Sequence, residues 1–287
     1  MKKVVFSAVI LILSLTGCKK EEKNLQPAIC DKIVSTAPSV TETFFELGLG
    51  EKIVGVSDNC KLPEKIKGVK RVGKVLDIGS ESVAVLKPDT VVVLKGNETL
   101  ALKMKNLNLN TILIDQSTVE GFFESVKIIS EHCSIKEKGD NLIEKMGKEL
   151  AEVTQSLVKI NPLKVMVVVG RDYSFNGIKD VYIAGNDGFY DTILKMARLE
   201  NVYQTSIAYP KIQLEGVMTL DPDIIIEVAT MGGISDENID DVRKNWEMLP
   251  NLKAVKNKKV FVVNDDYWSI LGPRFIEIVK DIIEITK

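Results

Sequence analysis

The sequence predicts an α/β protein of two lobes, each built on a mainly parallel sheet, joined by one long backbone helix. Short apolar runs rich in β-branched residues alternate with amphipathic segments, which is typical of parallel strands covered by helices on both faces. In mid-chain, residues 136–159 keep a helical period without a break. A nine-residue motif recurs 134 positions later, on the other side of that helix.

Residues 1–17 are predicted to be an export signal and not part of the fold. Lys2 and Lys3 precede an apolar run from Val4 to Leu15. As a helix this run would be about 18 Å long, well short of the roughly 30 Å of a bilayer core. The pattern therefore favours a signal peptide over a transmembrane anchor.

The signal ends in Leu15-Thr16-Gly17-Cys18, which resembles the lipobox of bacterial lipoproteins. The resemblance implies cleavage before Cys18 and a diacylglycerol on its sulfur, so the protein would be lipid-anchored at the cell envelope, facing the periplasm or the cell exterior. An ordinary secretory signal followed by an incidental cysteine is the alternative. Residues 18–29 include the polar stretch KKEEKNLQP and are predicted to form the lipidated tether.

The rest of the chain divides into an N-terminal lobe at 30–135, a linking helix at 136–161 and a C-terminal lobe at 162–287. Apolar runs of four to six residues predict the strands, and amphipathic segments between them predict the helices. The predicted strands are 33–37, 53–56, 90–94, 111–115, 165–169, 223–228 and 260–263. The predicted helices outside the linker are 41–48, 81–87, 98–107, 119–132, 187–198, 214–220, 236–246 and 273–286.

The linking helix is predicted from apolar residues spaced three to four apart in a background rich in lysine and glutamate. A helix over residues 136–159 would be about 36 Å long, which suits a rigid strut between lobes. The apolar positions are Leu142, Met146, Leu150, Val153 and Leu157, and no proline follows until Pro162.

An internal repeat supports two similar lobes. ESVAVLKPD at 81–89 matches EGVMTLDPD at 215–223, and each copy leads into an apolar run. A weaker match pairs Glu42-Thr43 with Asp191-Thr192. The alternative to a repeat is that Pro-Asp is simply a common connector between a helix and a strand, and for the weaker match alone we adopt it. Two helix-Pro-Asp-strand units on either side of a long helix predict approximate symmetry between the lobes.

Composition excludes several classes of function. Lys and Arg number 38 against 40 Asp and Glu, and this balance argues against a nucleic-acid partner. One histidine cannot build a His-rich metal site, and a Ser-His-Asp hydrolase would depend on His132, in a stretch that predicts an exposed helix end. No G-x-S-x-G elbow or phosphate-binding loop is present. We therefore expect no enzyme and no protein-built metal site.

Three cysteines remain beyond Cys18. Cys30, Cys60 and Cys133 allow at most one disulfide, and none of them has a C-x-x-C spacing. We interpret them as small, mostly buried hydrophobic residues, and not as a redox or metal site.

Several blocks of the sequence carry a family resemblance in a fixed order. They run from KIVSTAPSVTETFFELGLGEKIVGVSDNCKLP through RVGK, ESVAVLKPDTVVV, VYIAGNDGFYDTILKMARLENVY and YPKIQLEGVMTLDPDIII to WEMLPNLKAVKNKKVFVVNDDYWSILGPRFIEIV. Together they cover nearly all of 32–287 and resemble the class III, helical-backbone substrate-binding proteins of ABC importers, the TroA-like group that captures ferric siderophores, haem and cobalamin.

The resemblance implies a ligand cleft between the lobes and capture of a metal chelate, either a ferric siderophore, haem or a cobalamin-type corrinoid, for delivery to a membrane permease. It implies no catalysis and no cofactor other than the transported ligand, and we expect a monomer. The alternative is a lipid-anchored surface enzyme that acts on a chelate or an ester.

The resemblance also assigns permease docking to Glu81 and Glu215, one carboxylate on each lobe tip, for recognition by arginine pockets. The alternative is that each acid complements the dipole of the helix that it begins.

Ligand contacts are expected in loops at the carboxyl ends of the strands, where α/β sheets bind ligands. Aromatic side chains there suit a flat chelate.

Arg171 could pair with an acidic ligand group, or brace Asp172 or Asp180. Ser39 and Glu42 fit a capping box, and Ser39 could also line the cleft. The candidate ligand-binding residues are Tyr267, Trp268, Arg171, Tyr173, Tyr209, Phe189 and Ser39. Arg274 and Trp246 are expected to be structural.

Overall fold

A computed structural model describes residues 30–61, 64–155, 157, 162–174, 177–230 and 238–286. The predicted signal peptide, Cys18 and the tether lie outside these residues. Within the described part of the chain, no helix is both long enough and apolar enough to span a bilayer.

The N-terminal lobe is a parallel sheet of five strands in the order β3-β2-β1-β6-β7. Its strands are β1 (Ile33–Ser35), β2 (Ile53–Val56), β3 (Lys70–Arg71), β6 (Thr90–Leu94) and β7 (Thr111–Ile114), and β4 (Gly73–Lys74) and β5 (Asp77–Ile78) form a separate hairpin. Its helices are α1 (Pro38–Glu46), α2 (Ser80–Ala84), α3 (Glu98–Asn106) and α4 (Val119–His132).

The C-terminal lobe has a six-stranded mixed sheet, β11-β9-β8-β12-β13, with β10 also paired to β8. The strands are β8 (Lys164–Arg171), β9 (Asp180–Ile183), β10 (Glu200–Asn201), β11 (Lys211–Gln213), β12 (Ile224–Val228) and β13 (Val260–Val263). The helices are α6 (Phe189–Met196), α7 (Leu214–Leu220), α8 (Ile239–Lys244), α9 (Lys253–Lys256) and α10 (Phe275–Thr286). β9 and β11 are antiparallel and were not predicted, because β9 alternates buried and exposed residues instead of forming an unbroken apolar run.

The internal repeat has a direct structural counterpart. Asp89 accepts a hydrogen bond from the backbone amide of Lys32 at 2.9 Å, and Asp223 accepts one from that of Lys164 at the same distance. Each aspartate thus fixes the start of a central strand of its own sheet. Two residues earlier, Lys87 and Asp221 both have a positive φ, 48° and 40°. The two copies therefore make the same helix-to-strand turn.

The mid-chain helix, α5 (Lys136–Gln155), follows α4 after a short turn and packs against it and against α10. Leu142 and Met146 are its buried apolar contacts. Lys280 of α10 also forms a partly exposed ion pair with Glu149 of α5, at 2.7 Å. The helix therefore contacts both lobes, as a linking strut requires, while the predicted boundary at 161 falls outside the described residues.

The two lobes share apolar packing. A continuous cluster includes Phe44 and Phe122 of the first lobe and Val165 and Phe275 of the second. The rings of Phe122 and Phe275 meet edge to face with centroids 5.8 Å apart. Because this contact is buried, the lobes are joined by packed side chains as well as by the chain connection.

The structure pairs two of the three cysteines, a choice that the sequence left open, and it overturns the expected exposure of His132. Cys30 and Cys133 form a disulfide with an S–S distance of 2.04 Å, which joins the start of β1 to the end of α4. All three cysteines are buried as expected, and Cys60 is a free thiol whose pKa is raised by burial. His132 does end a helix, but it is buried beside Thr90, and this burial lowers its pKa. Spacing along the chain could not reveal either contact, because both join residues that are distant in sequence.

Candidate functional site

A cavity of about 590 Å³ lies between the two lobes. Much of its wall is formed by loops at the carboxyl ends of parallel strands in both sheets, where ligands bind in α/β folds, and the rest comes from segments next to the antiparallel strands β9 and β11. The volume lies in the range of small-molecule sites. The lining residues are Ala37, Pro38, Ser39, Asn59, Lys74, Val75, Leu76, Leu94, Gln116, Ser117, Asp187, Gly188, Phe189, Ala208, Tyr209, Ser269, Ile270 and Leu271.

Two further cavities extend this space along the cleft. One, of about 400 Å³, shares Pro38, Asn59, Ser269 and Ile270 with the first. The other, of about 420 Å³, shares Phe189, Tyr209 and Ser269 and reaches the end of β8. The cleft can therefore accommodate a ligand larger than the central cavity alone.

On the N-terminal side, Ser39 and Gln116 form a buried polar pair in the wall. The hydroxyl of Ser39 donates to Oε1 of Gln116 at 2.6 Å. The capping box expected for α1 is absent, because Ala37 is the N-cap residue and no side chain caps it. Pro38 begins the helix instead, which places Ser39 inside the first turn, on the side that faces the cleft.

Leu76 is the most exposed of the large apolar side chains described, at 89%. It lies at the tip of the β4–β5 hairpin and lines the central cavity. A single leucine between two predicted strands gave no signal of this position in the sequence.

On the C-terminal side, the candidate ligand contacts Phe189 and Tyr209 line the cavity. Phe189 stacks on Tyr190 with ring centroids 4.1 Å apart, and the hydroxyl of Tyr190 donates to the carbonyl of Trp268. Tyr209 is 44% exposed, and its phenol can donate a hydrogen bond to a group in the cleft. These contacts fix one aromatic wall that is apolar with a polar edge.

Arg171 and Tyr173 do not face the cavity, contrary to expectation. The Arg171 Nε donates to Oε1 of Glu227 at 2.7 Å, and Trp246 donates to the other carboxylate oxygen at 2.6 Å. The side chains of Arg171 and Glu227 are 1% and 0% exposed. Tyr173 stacks against the guanidinium at 4.7 Å, and its pKa is raised by burial and by Glu227. Arg171 therefore pairs with Glu227 and not with Asp172 or Asp180.

Trp268 is 0% exposed and Tyr267 is turned toward α10, so neither expected contact lines the central cavity. Both donate to the same oxygen of Asp281, at 3.0 and 2.6 Å. Burial and the Asp281 carboxylate together raise the pKa of Tyr267. The aromatic pair therefore anchors the turn, and the next residues, Ser269–Leu271, form the wall.

Arg274 connects the two sides of the cleft below this wall. It binds Glu42 of α1 and, through Nη1, Asp266 at 2.8 Å. Burial raises the pKa of Glu42 despite this partner. Arg274, expected to be structural, thus has a specific partner on the opposite lobe.

At the N-terminal rim, Asp115 pairs with Lys95 at 2.8 Å and accepts a bond from Ser117 at 2.6 Å. These contacts lower the pKa of Asp115 to about 2. The rim carboxylate is therefore ionised and already paired at neutral pH.

Glu81 and Glu215 lie in the first turns of the equivalent helices α2 and α7, and both are exposed. In the described ranges neither carboxylate has an ion-pair partner. Among the same residues, no group of three or more His, Cys, Asp and Glu side chains is arranged to hold a metal ion.

This arrangement defines a class: a bilobed binding protein with a cleft between two α/β lobes joined by a helix. The chain belongs to the periplasmic binding protein family, whose model matches residues 33–267.

Similar proteins agree with this assignment. The ABC transporter substrate-binding lipoprotein YvrC of Bacillus subtilis is 28% identical over 261 residues, which cover 88% of this chain and 79% of YvrC. A vitamin B12-binding protein of Pectobacterium atrosepticum is 24% identical over 257 residues, covering 87% of this chain and 86% of that protein. These relatives are named as binding proteins.

Among solved structures, the periplasmic vitamin B12-binding protein of Vibrio cholerae has a TM-score of 0.75 at 20% identity, covering 90% of this chain and 96% of its own. The haem-binding protein HutB of the same organism also scores 0.75 at 20% identity, with 90% and 99% covered. At this level of identity the likeness establishes the two-lobed fold.

Proposed function

We propose that this protein is the solute-binding component of an ABC importer and that it captures a metal chelate for delivery to a membrane permease. The observation that carries the proposal is the cleft of connected cavities between the lobes, in a member of the periplasmic binding protein family. The relatives named for ABC transport and for vitamin B12 support it.

The chemistry of the wall favours a chelate over a bare ion. The lining is mostly aliphatic and aromatic, with hydroxyl and amide groups from residues that include Ser39, Gln116 and Tyr209 and with two charged side chains, Lys74 and Asp187. A bare transition-metal ion requires several imidazole, thiolate or carboxylate ligands at bonding distance. The organic periphery of a ferric siderophore, haem or corrinoid instead presents apolar surface with a few polar edges, which matches this wall.

Delivery requires contact with the permease and residence at the membrane. Glu81 and Glu215 are proposed as the docking carboxylates, one on each lobe, because they occupy equivalent exposed positions. Cys18 is proposed as the lipidated residue that holds a monomer at the cell envelope. Two separated carboxylates would let the permease recognise both lobes at once.

Binding of a chelate to the purified full chain tests the proposal. We expect the protein to bind cyanocobalamin, a ferric hydroxamate siderophore or haem, measured by quenching of tryptophan fluorescence and by the visible absorbance that stays with the protein after gel filtration. Trp268 reports on the cleft because its neighbour Ser269 lines it. Lack of binding to every chelate, together with turnover of an ester, would favour an enzyme instead.

A further inference from the structure

Gln116 presents an unsatisfied hydrogen-bond donor in the wall of the cleft. The side chain is 8% exposed, and its Oε1 accepts from Ser39 at 2.6 Å. Its amide nitrogen, Nε2, is buried and has no hydrogen-bond partner in the described structure. Because a buried donor without an acceptor costs free energy, such a group in a folded protein calls for an explanation.

The position of Gln116 suggests what supplies the acceptor. Gln116 directly follows Asp115, which the rim contacts with Lys95 and Ser117 hold in place. Ser39 fixes the amide from the other side, and both Ser39 and Gln116 line the central cavity. The amide oxygen is therefore held by Ser39, and the amide nitrogen has no acceptor in a side chain that lines the cavity.

We propose that the Gln116–Ser39 pair is a specificity-determining subsite that hydrogen-bonds a neutral carbonyl oxygen on the periphery of the ligand. The inference rests on the proposed function and deepens it, because it names the part of the chelate that the wall recognises. Corrinoids carry such oxygens on carboxamide side chains, and hydroxamate siderophores carry them in their backbones.

A carbonyl fits this subsite better than a carboxylate does. Gln116 donates from a neutral amide, and its one side-chain partner, Ser39, is also neutral. The nearby guanidinium of Arg274 is already engaged by Glu42 and Asp266. An ionised ligand group bonded to this pair would lose its hydration without gaining a counter-charge from the pair itself, and Lys74 is the cation elsewhere in the cavity lining that such a group would need to reach. Haem, whose polar edge consists of carboxylates, would gain least from this subsite.

Titration of three chelates against matched variants tests the inference. Cyanocobalamin, a ferric hydroxamate siderophore and haem are titrated into the full chain, into Gln116→Leu and into Gln116→Glu. Gln155→Leu, a like change at an exposed position on the linking helix, is the control. Gln116→Glu keeps the shape but replaces the donor with an acceptor, so it remains informative if Gln116→Leu unfolds.

We expect the wild-type chain to bind one of the two carbonyl-bearing chelates, and both Gln116 variants to lose about tenfold or more of that affinity. Gln155→Leu should stay within about twofold. The chelate that shows the loss identifies the source of the carbonyl. Binding by Gln116→Leu and Gln116→Glu within twofold of wild type, an equal loss in Gln155→Leu, or binding of haem alone overturns this inference and leaves the proposed function standing. A wild-type chain that binds none of the three overturns both.

Discussion

Arg274 and Glu42 form an ion pair across the two lobes, although they are 232 residues apart in the chain. The Nε of Arg274 donates to one carboxylate oxygen at 3.1 Å and its Nη2 donates to the other at 2.5 Å. Glu42 is nearly buried on α1, and Arg274 precedes α10. The pair therefore joins the first helix of one lobe to the last helix of the other.

Replacing Arg274 with alanine should destabilise the protein by about 2–3 kcal/mol, because it leaves the buried carboxylate of Glu42 without a partner. The figure is set below that of a fully buried pair because Arg274 is about one-third exposed. Glu42→Gln should cost less, since the amide can still accept a bond and Arg274 keeps Asp266. Urea unfolding measures the free energy of unfolding of both variants. A larger loss of stability in Glu42→Gln than in Arg274→Ala would contradict this account.

The loss in Arg274→Ala should also depend on pH. Burial already raises the pKa of Glu42, and removing the guanidinium raises it further. An acid with a raised pKa in the folded state binds more protons when folded, so stability falls as pH rises from the unfolded-state pKa through the folded-state value. The deficit of Arg274→Ala relative to wild type should therefore be larger at pH 7.5 than at pH 4.5. An equal deficit in stability at the two pH values would show that the Glu42 carboxylate is not left buried without a partner.

Arg171 is predicted to serve the stability of the C-terminal lobe and not ligand affinity. Arg171→Met leaves the carboxylate of Glu227 buried with Trp246 as its remaining side-chain donor, and should cost about 3–5 kcal/mol. Chelate affinity of the folded fraction should stay within about twofold. Lys148→Met, which breaks an exposed pair with Glu144, should cost less than about 0.5 kcal/mol. A selective loss of affinity in Arg171→Met would restore it as a ligand contact.

The sequence was sufficient where local pattern decides structure. The buried strands β6 and β12 and the helix α4 fall within a residue or two of their predicted bounds, because apolar run length and helical period reflect local packing needs. The turns at Asp89 and Asp223 were also recognised, since the same short motif makes the same turn twice.

Sequence reasoning failed where a side chain had two plausible surroundings. It placed Trp268 in the cleft because it follows β13, but the turn directs the ring inward to Asp281 and exposes Ser269–Leu271 instead. It passed over Gln116 because a glutamine in a loop is unremarkable until its partners are known. Loops predicted to border the cleft supplied its wall, whereas the direction of each side chain depends on contacts distant in the chain.

The Cys30–Cys133 disulfide should contribute about 4–5 kcal/mol to stability, because it closes a loop of 103 residues in the unfolded chain. The double variant Cys30→Ser/Cys133→Ser should lose that amount in urea unfolding, and reduction of the wild type should lower stability equally. Cys60→Ser is the control, since that thiol is free and buried. A double variant as stable as wild type would mean that the bridge does not form.

Leu76 should contribute to ligand affinity and little to stability. Its side chain is nearly fully exposed at the hairpin tip yet lines the cleft, so Leu76→Ser removes apolar contact only when a ligand is present. We expect affinity for the bound chelate to fall about 5- to 20-fold with little change in the melting temperature. Leu102→Ser, at another exposed leucine on α3 outside the cavity lining, should leave affinity unchanged. Equal effects of the two changes would remove Leu76 from the site.

Glu81 and Glu215 should act together in docking. The double variant Glu81→Ala/Glu215→Ala is expected to bind its chelate normally, because neither residue lines the cleft, and to abolish uptake. Each single variant should retain partial uptake, since one lobe can still engage a basic pocket on the permease. Uptake of the radiolabelled chelate into vesicles that contain the permease measures the effect.

The matched control removes the same charge elsewhere. Glu137→Ala/Glu152→Ala takes two exposed carboxylates from the linking helix and should leave uptake unchanged. Docking that depends on two charge pairs should also weaken as salt is raised from 0.05 to 0.5 M, a range over which the Debye length shortens from about 14 to about 4 Å. Because the double variant lacks those pairs, its residual binding to the permease should be insensitive to salt. Loss of chelate binding with intact docking in the double variant would instead place these acids in ligand recognition.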